Sequence, residues 1–97
     1  MDTQTPAPGR VADIRDKLKT YVGKRIKARA NMGRSRILAR MGTLVGAHPS
    51  LFVLEIEERR GRTERQSYQY VDVLTGMVEL FDGDTGERLF EYTMEEY

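Results

Sequence analysis

The segment KRIKARA, residues 24–30, alternates charged with apolar side chains at a period of two. Its apolar members are Ile26, Ala28 and Ala30, and the cations between them are Arg25, Lys27 and Arg29. Successive side chains of a β-strand point to opposite faces of the sheet, so this pattern is typical of a strand with one buried and one solvated face. It predicts a β-protein in which three cations share one sheet face.

A helix is predicted before this strand. Apolar residues recur at helical spacing from Val11 through Ile14 and Leu18 to Tyr21, and Gly23 suits the left-handed position after a helix. Four more strands are predicted further along the chain, at about Arg36 to Val45, Leu51 to Ile56, Arg65 to Val71 and Met77 to Phe81. Among these, Leu51 to Ile56 is the most β-prone and is expected to be central, and Asp72 to Gly76 is expected to be a turn.

Five short strands and one N-terminal helix indicate a mainly β fold. A small five-stranded antiparallel barrel is expected, because closing the sheet removes exposed edges. Gly42 and Gly46 lie where the second strand can bend or bulge. We assign residues 1–10 to a disordered tail and 11–81 to the barrel domain. Residues 82–97 form either an acidic hairpin or an acidic tail.

Composition argues against catalysis and cofactor binding. The 97 residues contain no cysteine and one histidine, so neither a disulfide framework nor a thiolate zinc site can form. No serine has a recognisable triad partner, and His48 beside Pro49 suits a structural loop. No segment has the length and apolarity of a signal peptide or membrane span. We therefore expect a cytoplasmic protein that is not an enzyme, binds no metal or cofactor, and does not contact membranes.

Charge is segregated along the chain although the net charge is only +1. Residues 17–40 carry nine basic residues and no acid, and residues 66–97 carry eight acids against Arg88. The candidate nucleic-acid-binding residues come from the basic stretch: Lys24, Arg25, Lys27, Arg29, Arg34, Arg36 and Arg40. Two interpretations of this stretch stay open, namely phosphate contact, or solubility combined with pairing to the acidic third of the chain.

Tyr68 and Tyr70 are the second candidate site. An alternating strand would place both rings on one side, where they would stack on bases, anchor a protein partner, or fill the core. The first two roles require exposure and the third requires burial. The sequence favours core packing but leaves a partner-binding surface open.

Three segments of the sequence resemble segments of the Veg family of small bacterial proteins, and they occur in the same order as in that family. They are GKRIKARANMGRSR (Gly23 to Arg36), HPSLFVLEI (His48 to Ile56) and SYQYVDVLTGMVEL (Ser67 to Leu80). The resemblance implies an SH3-like or Sm-like barrel and a regulatory role linked to biofilm formation and transcription. It implies no catalytic residues. The segments Gly46 to Ser50 and Val71 to Thr75 lack the residues of the Sm nucleotide pocket.

The sequence therefore predicts a regulatory protein whose basic strand contacts nucleic acid. The alternative is an interaction module that binds and antagonises a protein transcription regulator through Tyr68 and Tyr70 or a sheet edge. Self-association into a homo-oligomer is left open by the segregated charge.

Overall fold

The alternating segment forms a strand, and four further strands pair around it. A computed structural model of the chain describes residues 11–33 and 35–90. Its elements in chain order are α1 (Val11–Lys19), β1 (Arg25–Asn31), β2 (Ile37–Ala47), β3 (Leu51–Glu57), β4 (Thr63–Gln69), α2 (Tyr70–Leu74) and β5 (Val78–Asp82). The predicted tail, residues 1–10, lies outside the described residues, as do residues 91–97.

The strands form one antiparallel sheet in the order β4-β3-β2-β1-β5. The predicted fold class, mainly β with five antiparallel strands, is confirmed. The sheet is not closed, because β4 and β5 lie at opposite edges without pairing to each other. The central strand is β2, whereas β3 was predicted to be central. The difference arises because β1 also pairs with β5, which adds a strand on that side of the sheet.

The helix α2 replaces the predicted end of the fourth strand and the turn after it. Strand β4 ends at Gln69, and Tyr70 begins a helix that buries Tyr70 and Val73. These two residues are three positions apart, so a helix places both on one face, whereas a strand would separate them. Gly76 follows with a φ of 86°, which suits a glycine.

The two faces of the sheet differ in burial and in charge. The core face packs on both helices, and its buried strand residues are Ile26, Ala28, Leu44, Phe52, Leu54, Ile56, Val78 and Leu80. Alternation places the cations of β1 on the opposite side, which we call the outer face. The one-sided burial predicted from residues 24–30 is therefore confirmed.

Both predicted glycine positions in β2 have a structural reason. The pairing of β2 with β3 shifts register between Leu44 and Gly46, which marks a bulge. Gly42 lies where the two strands approach closely, since a Cβ atom there would be 2.7 Å from the backbone oxygen of Glu55. Backbone atoms cannot rotate away from such a contact as a side chain can.

We expect Gly42→Ala to destabilise the fold by about 1–3 kcal/mol, because the added methyl group forces β2 away from β3. Gly46→Ala is the matched control. Its Cβ would approach the ring of His48 at 2.8 Å, and that exposed side chain can rotate away. Chemical denaturation of both variants tests this, and equal stability losses would contradict the assignment of close backbone packing at Gly42.

The chain after Phe81 turns back and covers the free side of β5. Arg88 bridges to Phe81, and the N–H of Leu89 donates to the carbonyl of Leu80 over 2.9 Å. Leu89 and Phe90 are buried in the core cluster, and Lys17 Nζ of α1 donates to the Leu89 carbonyl over 2.8 Å. Packing therefore continues past residue 81, the predicted end of the barrel domain.

Asp82 organises this turn. Its Oδ1 accepts the N–H groups of Asp84 and Thr85 over 2.8 and 3.0 Å. These two hydrogen bonds lower the pKa of Asp82 below its usual value of 3.8, because they favour the ionised carboxylate. The turn is therefore more stable with Asp82 charged.

The lowered pKa predicts a pH-dependent contribution to stability. A carboxyl group with a lower pKa in the folded state stabilises the fold above its unfolded pKa, and this contribution disappears as pH falls through the folded value. Asp82→Asn keeps the shape but removes the charge, so it should lower the melting temperature at neutral pH. The difference from the parent protein should shrink well below pH 3.8. A difference that is the same at both pH values would refute this role.

Candidate nucleic-acid interface

Arg25, Lys27 and Arg29 form a row on the outer face, which we call the basic strip. The core side chains Ile26 and Ala28 between them are fully buried or nearly so. Alternate residues of a strand are about 6.6 Å apart, so the strip presents three cations at regular intervals. Its position follows directly from the alternation in the sequence.

Two glutamates lie close to the strip, one from β5, which pairs with β1, and one from β3, which is separated from β1 by β2. Arg25 Nη2 is 3.7 Å from Oε1 of Glu57, and Arg29 Nη1 is 3.7 Å from Oε1 of Glu79. Such partly exposed pairs contribute little, about 0–1 kcal/mol each, because water screens them. The basic strip therefore does pair with acidic residues. One of them, Glu57, comes from β3, and the other, Glu79, comes from the acidic C-terminal third of the chain.

Glu79 also binds Arg88, and more closely than it binds the strip. Arg88 Nη2 donates to Glu79 Oε2 over 2.9 Å, against 3.7 Å for the contact with Arg29. The carboxylate is therefore shared between two cations. The outer face keeps an excess of positive charge around Arg29.

Lys27 lies between two apolar side chains, because β1 pairs it with Met41 on one side and Phe81 on the other. Its Nζ is 5.9 Å from the centre of the Phe81 ring. Within residues 11–33 and 35–90, Lys27 has no ion pair. Its ammonium group is available for an external anion.

The other predicted basic residues do not all join the strip. Lys24 precedes β1 and lies over the ring of Tyr21, 5.2 Å from its centre. Arg36 is exposed in the turn between β1 and β2, and Arg34 lies outside the described residues. Arg40 pairs with the buried Ala28, so it projects on the core side of the sheet. Burial raises the pKa of Tyr68, and the nearby positive charge of Arg40 opposes part of this rise.

Tyr70 belongs to the core, and Tyr68 packs against it. Both rings lie 5.5 Å from the ring of Phe52. Tyr70 is 1% exposed and its hydroxyl donates to the carbonyl of His48 over 2.7 Å, while Tyr68 is half-buried. The core alternative describes this pair, and Tyr70 presents no surface to a partner.

An apolar patch at one end of the outer face was not foreseen. It consists of Met32, Ile37 and Met77, which are 58%, 55% and 49% exposed. Hydrogen bonding and register bring them together, since Asn31 pairs with Ile37 and its N–H donates to the Met77 carbonyl. The patch adjoins Arg29, and a small open cavity of about 180 Å³ lies between them.

A family model described as "Biofilm formation stimulator VEG" matches residues 9–81. The chain belongs to the Veg family. No curated protein matches the sequence. The resemblance inferred from the three segments is thereby confirmed, and the family's description supports a role in stimulating biofilm formation. The Veg family is regulatory and is not a known enzyme family.

The Veg match includes the basic strip, the apolar patch and Phe81, but it ends before Arg88. The segment that covers β5, residues 82–90, therefore lies outside the residues that match the Veg family. Arg88 was not singled out from the sequence. Its acidic surroundings at residues 82–87 gave no indication of a contact with β5.

Within the described residues, no group of three or more His, Cys, Asp or Glu residues is arranged to hold a metal ion. No helix in the described part of the chain is long and apolar enough to span a membrane.

Proposed function

We propose that this Veg-family protein is a non-enzymatic cytoplasmic regulator of transcription whose basic strip contacts the phosphates of nucleic acid. One observation carries the proposal: three cations share the outer face, and the middle one, Lys27, has no acidic partner within the described residues. Phosphate contacts of this kind supply most of the sequence-independent affinity of nucleic-acid-binding proteins.

The neighbouring glutamates do not oppose this role strongly. The pairs of Arg25 with Glu57 and Arg29 with Glu79 are 3.7 Å long and partly exposed. A guanidinium can exchange such a contact for a phosphate oxygen, which accepts shorter, charge-assisted hydrogen bonds. Binding is then weak at physiological salt and strong at low salt.

A second candidate function is antagonism of a protein transcription regulator. The exposed patch of Met32, Ile37 and Met77 favours it, because methionine-rich apolar surfaces adapt to protein partners. This patch takes the place of Tyr70, whose side chain is buried. The sheet edge formed by β4 is a further surface for a partner strand.

A salt titration separates the two candidates. If the proposal is right, the purified protein binds oligonucleotides of many sequences, and the logarithm of its affinity falls linearly with the logarithm of salt concentration. If the second candidate is right, the protein binds one purified regulator at fixed stoichiometry and ignores oligonucleotides. Material that copurifies from the native cytoplasm at low salt identifies the regulator to use.

A further inference from the structure

Phe81 lies on the outer face with no role in the core. Tyr21, Phe52, Tyr68, Tyr70 and Phe90 all belong to the core cluster or pack against it. Phe81 does neither, although it follows the buried Leu80 and precedes the turn at Asp82. Its half-buried ring needs a different explanation from that of every other aromatic side chain in the described residues.

Cations surround this ring. Lys27 is directly opposite Phe81 in the pairing of β1 with β5, and its Nζ is 5.9 Å from the ring centre. Arg88 reaches the same ring from the covering segment, with Cζ at 5.6 Å. Arg88 and Lys27 come from distant parts of the sequence, so the fold itself assembles an aromatic ring between positive charges.

We infer that the outer face binds single-stranded nucleic acid, with the backbone held by Arg25, Lys27 and Arg29. Lys27 leaves the Phe81 ring for a phosphate, and one base stacks on the ring in its place. This inference rests on the proposed function and names the form of nucleic acid. An aromatic ring beside a row of cations is an arrangement that holds unpaired bases, because every base has a stacking face.

Duplex nucleic acid does not fit this arrangement. In a duplex the bases are stacked on each other and paired inside the helix, so a ring on a sheet face meets only sugar and phosphate. An apolar ring gains nothing from such a contact, whereas an unpaired base can leave its neighbours and lie on it. Phe81 therefore favours a single strand over a duplex, while the cations serve both.

The test compares labelled oligothymidylate, oligouridylate and a DNA duplex of equal length by fluorescence anisotropy at low salt. We expect the single strands to bind at least tenfold more tightly than the duplex. The two single strands distinguish DNA from RNA as the source of the bases. Phe81→Leu keeps an apolar side chain on β5 but removes the ring, and it should weaken single-strand binding about 5- to 100-fold while changing duplex binding less than about twofold.

Phe81→Tyr is the matched variant, because it keeps the ring and should retain single-strand affinity. Melting curves check that each variant folds, and retained affinity in Phe81→Tyr carries the test even where Phe81→Leu is destabilised. Equal affinity for single strand and duplex, or an unchanged Phe81→Leu affinity, would overturn this inference and leave phosphate contact standing. Absence of binding to all three oligonucleotides would overturn both.

Discussion

Replacing Arg25, Lys27 and Arg29 together with glutamine will weaken nucleic-acid binding on the order of 100-fold at about 0.1 M salt. Each lost phosphate contact lowers the salt slope for a single strand by about 0.7, so three lower it by about two. The electrostatic contribution to binding vanishes near about 1 M salt. At a salt concentration tenfold lower, a salt slope smaller by about two means an affinity about 100-fold lower. Affinity should fall for all sequences alike.

The fold should survive this triple replacement. The three side chains are on the outer face, and the residues between them fill the core unchanged. Surface substitutions of this kind usually alter stability by less than about 0.5 kcal/mol each. Unfolding of the variant would therefore contradict the placement of the strip on a solvated face.

A matched control removes the same charge elsewhere. Arg60, Arg62 and Arg65 are exposed around the hairpin between β3 and β4, and β2 separates this hairpin from the strip on β1. Their combined replacement by glutamine lowers the net charge equally and should reduce affinity far less. If both triple variants bind equally weakly, the protein's overall charge and not the basic strip accounts for binding.

Phe52→Ala should destabilise the fold by about 3–5 kcal/mol, a large part of the roughly 5–15 kcal/mol typical of small domains. Phe52 is fully buried, and its ring contacts Tyr68 and Tyr70 at centroid distances of 5.5 Å. Removing it loses apolar burial, two ring contacts and the filling of the space between them. The midpoint of urea denaturation should fall steeply, with partial unfolding in water.

Leu51→Ala is the control, because Leu51 is the preceding residue of β3 and is only half-buried on the outer face. This replacement should lower the free energy of unfolding by about 1 kcal/mol or less. Comparable effects of the two changes would mean that β3 does not divide its side chains between core and outer face. Phe52→Leu, which keeps most of the volume, should lie between them.

The one-sided character of β1 could be predicted because it depends only on neighbours in sequence. A period of two assigns Ile26 and Lys27 to opposite faces whatever the strand pairs with. The same local reasoning identified the glycines of β2. Family membership was equally readable, since the quoted segments fall within the matched residues 9–81.

The partners of the basic strip could not be predicted in the same way. Lys27 meets Phe81 through the pairing of β1 with β5, and Arg25 reaches Glu57 of β3 across the intervening β2. The register of these strands depends on the whole sheet, and the periodicity of a single strand does not indicate it. Arg40, one of the seven predicted basic residues, lies on the core side and is not part of the basic strip.

The helix α2 was missed because two periodicities overlap at Tyr70. Tyr68 and Tyr70 continue the alternation of β4, but Tyr70 and Val73 also have helical spacing. Burial of both against α1 and β5 favours the helix, and this tertiary contact is absent from any local pattern. The same packing buries Tyr70, one of the two tyrosines of the predicted partner surface.

The segment that covers β5 limits how copies of this chain can join. Strand β4 has an unpaired side in the described chain, while β5 is hydrogen-bonded to residues 87–89 along Leu80–Asp82. A fibre grows by strand addition only when every copy offers two complementary edges. A copy with one open edge can pair only with the same edge of another copy, across a two-fold axis. We therefore expect association through strand pairing to stop at two chains, since residues 87–89 occupy the edge of β5 that a growing polymer would need.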